Sequence, residues 1–210
     1  MNSKKKIIWI FQTGEPLLID KNGYKPLRLI NLVNQLKLKY KKTNIVVFSS
    51  KFNHQTKTHR IFNNVEIEKN IKYIFIESPG YKKNVSLKRF IDHLILGINL
   101  LKYFIKNFNE KPDVAFIGFP PIEFAFVASI FLKAKNIPYI LDVKDLWPEQ
   151  LYYRINKKFI FLFRIVFFPL ELISQYTIRS ANIVMSITPD FLSWVQSYAF
   201  RKKISSDFVC

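Results

Sequence analysis

Cysteine is almost absent from this 210-residue chain, which has a single thiol at Cys210. One cysteine can form neither an internal disulfide bond nor a cysteine-based metal site. The composition therefore favours a reducing compartment, and we expect a cytoplasmic location. Because 49% of the residues are hydrophobic, the chain is apolar enough to bury a sizeable core and predicts a globular protein, not a disordered one.

Glycine is scarce as well, with five residues in the whole chain. Neither a GxGxxG fingerprint nor a GxxxxGK(S/T) phosphate loop occurs, which argues against an NAD-binding domain and a P-loop ATPase. The segment Gly118-Phe119-Pro120-Pro121 lacks the serine of a nucleophile elbow. The three histidines do not follow the spacing of metal ligands, so we expect no metal and no other cofactor.

Acidic residues are few: 15 Asp and Glu stand against 33 Lys and Arg, which gives a formal net charge of +18. Such a positive field attracts nucleic acid or an anionic membrane surface. The alternative is that the lysines only solvate the surface. Because the lysines are spread along the whole chain and are not grouped with stacking aromatic residues, we rank nucleic acid last and predict no nucleic-acid partner.

Long uninterrupted apolar runs are missing. The first run, 7–11, is too short for the apolar region of a signal peptide. The most apolar window, 159–173, contains Arg164, Pro169 and Glu171 and is shorter than a bilayer span, so we expect no transmembrane helix.

The same window favours a peripheral contact with a membrane. Lys157, Lys158 and Arg164 accompany an aromatic run, and basic, aromatic-rich helices lie in the plane of an anionic bilayer surface. We expect attachment to the inner face of the plasma membrane. The alternative is that the aromatic run forms the core face of a helix.

Short β-branched runs alternate with longer stretches of helical spacing, which is typical of βαβ units and a parallel sheet. The predicted strands are 7–11, 45–48, 73–76, 114–117, 139–141 and 183–187. The predicted helices are 26–39, 87–108, 122–135 and 157–180. We therefore predict an α/β fold, in which residues 1–210 form one Rossmann-like three-layer domain with a mostly parallel sheet.

Polar segments follow three of the predicted strands. They are 12–16 after the first strand, 51–60 after the second, and 142–149 after the apolar run 137–141. Ligands of open parallel α/β sheets collect outside the carboxyl ends of the strands. We therefore expect the first and last of these segments to face one cleft.

Three motifs in these segments carry a family resemblance: GEPLL at 14–18, FNHQTKTHR at 52–60 and DVKDLWPE at 142–149. From about Lys6 to its end, the chain resembles the N-terminal half of a family-four GT-B glycosyltransferase that builds bacterial surface polysaccharides such as O-antigen, capsule or exopolysaccharide. The resemblance implies transfer of a sugar from a nucleotide-sugar donor to a lipid-linked glycan acceptor, which this N-terminal domain would hold. It also implies that the C-terminal donor-binding domain is absent and that the fragment alone is inactive.

The candidate site residues come from the strand-end segments and the first helix. We assign acceptor positioning, as catalytic residues, to Asp145 and Glu15. The predicted substrate-binding residues are Gly14, Arg28, His54, Asp142, Trp147 and Glu149. Carboxylates accept directed hydrogen bonds from sugar hydroxyls, a tryptophan offers a flat face to a sugar ring, and a glycine lets a ligand approach the backbone.

Structural roles for some of these residues remain open. Asp142 could bond backbone amides at the sheet edge, Trp147 could pack in the core, and Glu15 could be a solvated turn residue. For the whole chain, the alternative function is a non-catalytic or split-enzyme subunit that binds a partner donor domain.

Overall fold

A computed structural model of the chain describes residues 6–20, 27–40, 42–68, 71–149, 152 and 156–210. The chain divides into two compact units, Met1–Phe116 and Ile117–Cys210. The predicted Lys157 membrane contact concerns a side chain that lies outside the described part of the structure.

The first unit is an α/β layer built on parallel strands. Its elements are β1 (Lys6–Phe11), α1 (Arg28–Lys39), β2 (Thr43–Ser50), β3 (Phe52–Asn53), β4 (Thr58–His59), β5 (Val65–Glu68), β6 (Ile71–Ile76) and α2 (Leu87–Lys106). β1 pairs with β2 and β2 with β6 in parallel, whereas β5 runs antiparallel to β6. β3 and β4 form a separate small hairpin. Alternate residues of a strand point to opposite faces of the sheet. Because successive residues of these parallel strands are apolar, both faces of the sheet are apolar.

One face of this sheet packs against α1. Its core includes Ile10, Leu29, Val33, Val47 and Tyr73. The other face is aromatic: the rings of Phe11 and Phe48 stack at 4.6 Å between centroids, and both approach Phe104 of α2 at 6.0 Å. Burial of such large rings on both faces fixes the register of the strands, because a slip of one residue would exchange the two faces.

The second unit contains the remaining strands and helices. They are β7 (Val114–Phe119), whose first residues precede the boundary, α3 (Ile122–Ala134), β8 (Tyr139–Val143), α4 (Ile160–Ser180), β9 (Ile183–Ser186), α5 (Pro189–Tyr198) and β10 (Phe208–Val209). β9 pairs in parallel with β8 and with β10. The two units thus supply eight strands of mostly parallel sheet structure flanked by helices, and the predicted α/β, Rossmann-like fold class is confirmed.

A buried ion pair closes the second unit. The carboxylate of Asp207 accepts from Arg201 Nη2 at 2.9 Å and Nε at 3.0 Å, from Gln196 Nε2 at 3.1 Å and from the Val184 amide at 2.9 Å. Burial alone raises the pKa of Asp207. The hydrogen bonds from these groups and the charge of Arg201 outweigh that effect and leave the pKa lowered. The guanidinium also donates to the Ala181 carbonyl at 2.7 Å.

Within the described residues, one helix, α4, is long and apolar enough to cross a membrane by length and composition. The helix runs over Ile160–Ser180, close to the predicted 157–180, and so extends beyond the apolar window 159–173. Length and composition alone do not make it a span. Ser174, Thr177 and Ile178 are buried in the unit, so the last two turns of α4 belong to the folded core.

Candidate functional site

Three loops of the first unit lie at the carboxyl edge of its parallel strands. They are 12–20 after β1, 51–60 after β2 and 77–86 after β6. A buried ion pair ties the first two loops together, since Arg60 donates from Nε to Asp20 Oδ1 at 2.7 Å and from Nη2 to Oδ2 at 2.6 Å. Arg60 Nη1 also donates to the Ser50 carbonyl at 2.7 Å. This ion pair, which holds the site loops in place, joins residues 40 positions apart and was not predicted from the sequence.

Glu15 has a partner in the fold. Its side chain is 8% exposed, and Oε2 accepts from the amide of Leu29 at 2.8 Å. Helix α1 begins at Arg28, and its N-cap residue Leu27 supplies no side-chain hydrogen bond, so Glu15 satisfies an amide that the first turn leaves open. The carboxylate is therefore not a solvated turn residue, and its acceptor-positioning role stays a prediction, as does the binding role of Arg28.

Gly14 lies beside the second loop. Its carbonyl accepts from Gln55 Nε2 at 3.3 Å. A Cβ built at Gly14 would meet no atom within 4 Å. The fold therefore leaves open space next to the Gly14 backbone, which is the space that the predicted close approach of a ligand requires.

His54 is a neutral hydrogen-bond donor at this edge. Burial first, then the charges of Lys57 and Arg89, lower the pKa of His54 to about 4. His54 Nδ1 lies 3.2 Å from Lys57 Nζ and 2.5 Å from the Tyr81 hydroxyl. Because an ammonium group can only donate, Nδ1 is the acceptor and the ring proton is on Nε2. Burial also raises the pKa of Tyr81 to about 12, so the phenol keeps the proton that it donates.

This tautomer limits what His54 can do. At neutral pH the ring offers a ligand an Nε2–H donor. It does not offer an acceptor nitrogen, because Nδ1 is already occupied. His54 can therefore hold a sugar or phosphate oxygen, but it cannot remove a proton from an acceptor hydroxyl while Lys57 and Tyr81 keep these positions.

The second unit carries the segment 142–149. Asp142 lies in β8 with a fully buried side chain, and its Oδ2 is 3.5 Å from Lys144 Nζ. Asp145 follows in a bend just beyond the strand and is exposed. Among the residues that the structure describes, none hydrogen-bonds the carboxylate of Asp145. Its position beyond the end of a buried strand leaves both oxygens open to a ligand.

Buried contacts hold the rest of segment 142–149 in place. Trp147 is 7% exposed, so its ring is packed. Glu149 accepts from Trp194 Nε1 of α5 at 2.6 Å. Trp194, which the sequence analysis did not single out, thus anchors the loop that carries Asp145. Sugar contacts by Asp142, Trp147 and Glu149 stay predictions.

The candidate residues therefore form two groups, each described within its own unit. Gly14, His54 and the loop that carries Glu15 lie at the carboxyl edge of the first unit. Asp142, Asp145 and their neighbours lie at the end of β8 in the second unit. No cluster of three or more His, Cys, Asp or Glu that could hold a metal ion occurs among the described residues.

No protein-family model matches the chain, and no curated protein matches its sequence. Solved structures do resemble its fold. A UDP-N-acetylglucosamine 2-epimerase matches with a TM-score of 0.56 and 19% identity, over 98% of this chain and 48% of that chain. A UDP-glucose: anthocyanidin 3-O-glucosyltransferase in complex with UDP matches at 0.49 and 14%, over 98% and 52%. Arabidopsis thaliana UGT89C1 complexed with UDP matches at 0.48 and 11%, over 98% and 51%.

These comparisons concern the fold. The chain has a GT-B-like fold, similar to that of the epimerase, and this part of the prediction is confirmed. It spans about half the length of the structures that it resembles.

Proposed function

We propose that this chain is the acceptor-binding, N-terminal part of a glycosyltransferase of the family-four GT-B type. The reaction would move a sugar from a nucleotide-sugar donor to a hydroxyl of a lipid-linked glycan in surface-polysaccharide synthesis. The acceptor oxygen would form the new bond to the anomeric carbon, and the leaving diphosphate would take the hydroxyl proton. A separate donor-binding domain would hold the nucleotide, so the chain alone would bind acceptor without turnover.

The exposed carboxylate of Asp145 carries the proposal. It lies at the carboxyl end of the buried strand β8, on a loop that the Glu149–Trp194 hydrogen bond holds, in the segment with the strongest family resemblance. A carboxylate whose oxygens have no hydrogen-bond partner among the described residues is suited to orienting a hydroxyl. The GT-B-like fold supports the same reading, since sugar-nucleotide enzymes use it.

The acceptor's lipid anchor would bring the chain to a membrane, and α4 has the surface for this. Its exposed apolar side chains include Phe161 at 77%, Val166 at 64% and Leu162 at 57%. The basic residues Lys158 and Arg164 are exposed beside them. Grouped exposed apolar side chains rimmed by polar residues mark interaction sites. The net charge of +18 favours an anionic bilayer as the partner.

The geometry favours a helix that lies in the interface over one that spans the bilayer. The last turns of α4 are buried in the second unit. The remaining residues, 160–173, extend about 21 Å at ~1.5 Å per residue, whereas the hydrocarbon core is about 30 Å thick.

Ligand titration of the chain tests the acceptor-binding proposal. We expect a polyprenyl-diphosphate sugar analogue to bind and nucleotide sugars to bind weakly or not at all. In Asp145→Asn, loss of a charged hydrogen bond should weaken binding of the analogue by about 1.5–3 kcal/mol. Stability to urea should change by less than ~0.5 kcal/mol, because the side chain is exposed and without a described partner.

Asp190→Asn in α5 is the matched control, since Asp190 is also an exposed aspartate of the second unit. It removes the same charge and should leave binding of the analogue unchanged. If both variants weaken binding equally, the change in net charge explains the result and Asp145 has no specific role. A large loss of stability in Asp145→Asn without a change in binding would make Asp145 a structural residue and contradict the proposal.

A further inference from the structure

A basic cleft of about 480 Å³ opens at the carboxyl edge of the first unit. It lies between the β3–β4 hairpin and the loop that joins β6 to α2. Its described lining includes four lysines and no acidic residue; the lysines are Lys57, Lys82, Lys83 and Lys88. We propose that this cleft binds the phosphate group of an organic phosphate whose organic part is apolar or aromatic.

Two carboxylates of neighbouring segments, Asp92 and Glu77, have partners other than the cleft lysines. Asp92 is 2% exposed, and its Oδ1 accepts from the amide of Gly80 at 2.6 Å underneath the loop. Glu77 pairs with Lys51 at 2.9 Å. The positive charge of the cleft is therefore left to solvent anions or to a ligand, and bringing like charges together costs free energy until an anion binds.

Lys57 is held in place at the tip of the hairpin. Its ammonium group donates to Asn84 Oδ1 at 2.6 Å and lies 4.7 Å from the centroid of the Tyr81 ring. Its φ of 58° is in the left-handed region, which glycine or asparagine occupies more readily. The hairpin thus keeps a lysine where the backbone favours a smaller residue. Burial and the charge of Arg89 lower the pKa of Lys57, which agrees with an excess of positive charge here.

Rings form the wall of the cleft. Phe52 and Tyr81 pack at 5.0 Å between centroids. The loop comes this close because position 80 is a glycine with φ +79°; a Cβ there would lie 2.6 Å from the Phe52 ring. Aromatic side chains beside several ammonium groups suit a ligand that joins a phosphate to an apolar or planar group. Inorganic phosphate would use only the lysines.

This inference deepens the proposed function by naming the chemistry that the first unit recognises, but the binding itself does not depend on sugar transfer. Two sources share that chemistry: the prenyl diphosphate of a lipid-linked acceptor and a soluble nucleotide. Calorimetric titration of the chain with geranyl diphosphate, UDP and inorganic pyrophosphate at one salt concentration distinguishes them. We expect geranyl diphosphate to bind at least about fivefold more tightly than pyrophosphate and more tightly than UDP. Tighter binding of UDP would identify a soluble nucleotide as the source and would contradict the acceptor-binding role.

A pair of charge-reversal variants locates the binding. Lys83→Glu with Lys88→Glu should weaken the tighter organic ligand at least about tenfold, since each change replaces an attraction by a repulsion at the cleft. Lys42→Glu with Lys102→Glu alters the net charge by the same amount at exposed positions outside the cleft. This control should change affinity less than about twofold.

Three results would overturn the proposal. They are no binding of any of the three ligands, equal binding of pyrophosphate and both organic phosphates, and equal weakening by the two double variants. All four substituted lysines are exposed, so we expect both variants to fold, and urea unfolding checks this. If Asp145→Asn does not weaken acceptor binding but the cleft variants weaken phosphate binding as expected, the transferase proposal fails and the phosphate site stands.

Discussion

The buried histidine of α2 predicts that acid destabilises the first unit. His93 is 7% exposed, and Arg89 Nε lies 3.5 Å from its Nε2. Burial first, then the charges of Arg89 and His54, lower the pKa of His93 from 6.5 to about 3. The folded protein therefore holds this ring neutral at pH values where the unfolded chain protonates it.

The direction and size of the change in unfolding free energy with pH follow from proton binding. Between pH 6.5 and 3 the unfolded state binds the extra proton, so the stability contributed by neutral His93 is present above pH 6.5 and is lost as pH falls. From pH 7.5 to 5.5 the two pKa values give a loss of about 1.4 kcal/mol. His54 acts in the same direction, and solvent screens its contribution because the ring is only half-buried.

Urea unfolding at pH 7.5 and 5.5 measures this loss. In His93→Gln the difference in unfolding free energy between the two pH values should be smaller than in the unaltered chain by about 1.4 kcal/mol, because glutamine does not titrate. Leu94→Gln, at a 54% exposed position of the same helix, leaves His93 in place and should keep the full difference. If His93→Gln loses as much stability on acidification as the unaltered chain does, burial does not hold His93 neutral, and the reasoning fails.

Two further predictions concern the second unit and the membrane. Asp207→Asn should cost about 3–5 kcal/mol of unfolding free energy, because it leaves Arg201 buried without its counter-charge. Asp190→Asn, at an exposed aspartate, should cost less than about 1 kcal/mol. Urea unfolding measures both variants, and similar losses would contradict a buried ion pair. The chain should sediment with anionic vesicles more than with neutral ones, and Phe161→Glu should reduce this while Leu38→Glu, exposed on α1, should not. Equal sedimentation with both lipids, or with neither, would contradict the membrane surface.

The regular fold could be predicted because its signals are local. β-Branched runs such as 45–48 become strands buried on both faces, and helical spacing over 87–108 becomes α2. Helix α5 was missed although its start is visible in the sequence. The Thr188 side chain caps it by accepting from the Phe191 amide at 3.1 Å, and proline occupies its first turn.

The face that α2 buries could not be predicted from apolar spacing. Ile91, Leu94 and Ile98 fit the apolar stripe but are 44–54% exposed, while Asp92 and His93 are buried. Asp92 can be buried because the amide of Gly80, in the loop before α2, donates to it. His93 can be buried because its ring stays neutral beside Arg89 of the same helix. The position of Asp145 at a strand end was predictable, because it follows β8 directly in the sequence. The cluster of Tyr81, Lys57 and His54 was not, because Tyr81 lies 27 residues from His54.

The ion pair between Arg201 and Asp207 has a practical consequence for shortening or joining this chain. A version that ends before Asp207 would keep the guanidinium of Arg201 among the carbonyls of residues 178–182 and remove the carboxylate that balances it. Such a protein should be less stable, because a buried charge loses its partner, and this loss is unrelated to the candidate binding residues. Any partner domain attached for activity assays should therefore be joined after Val209, so that β10 keeps its place beside β9.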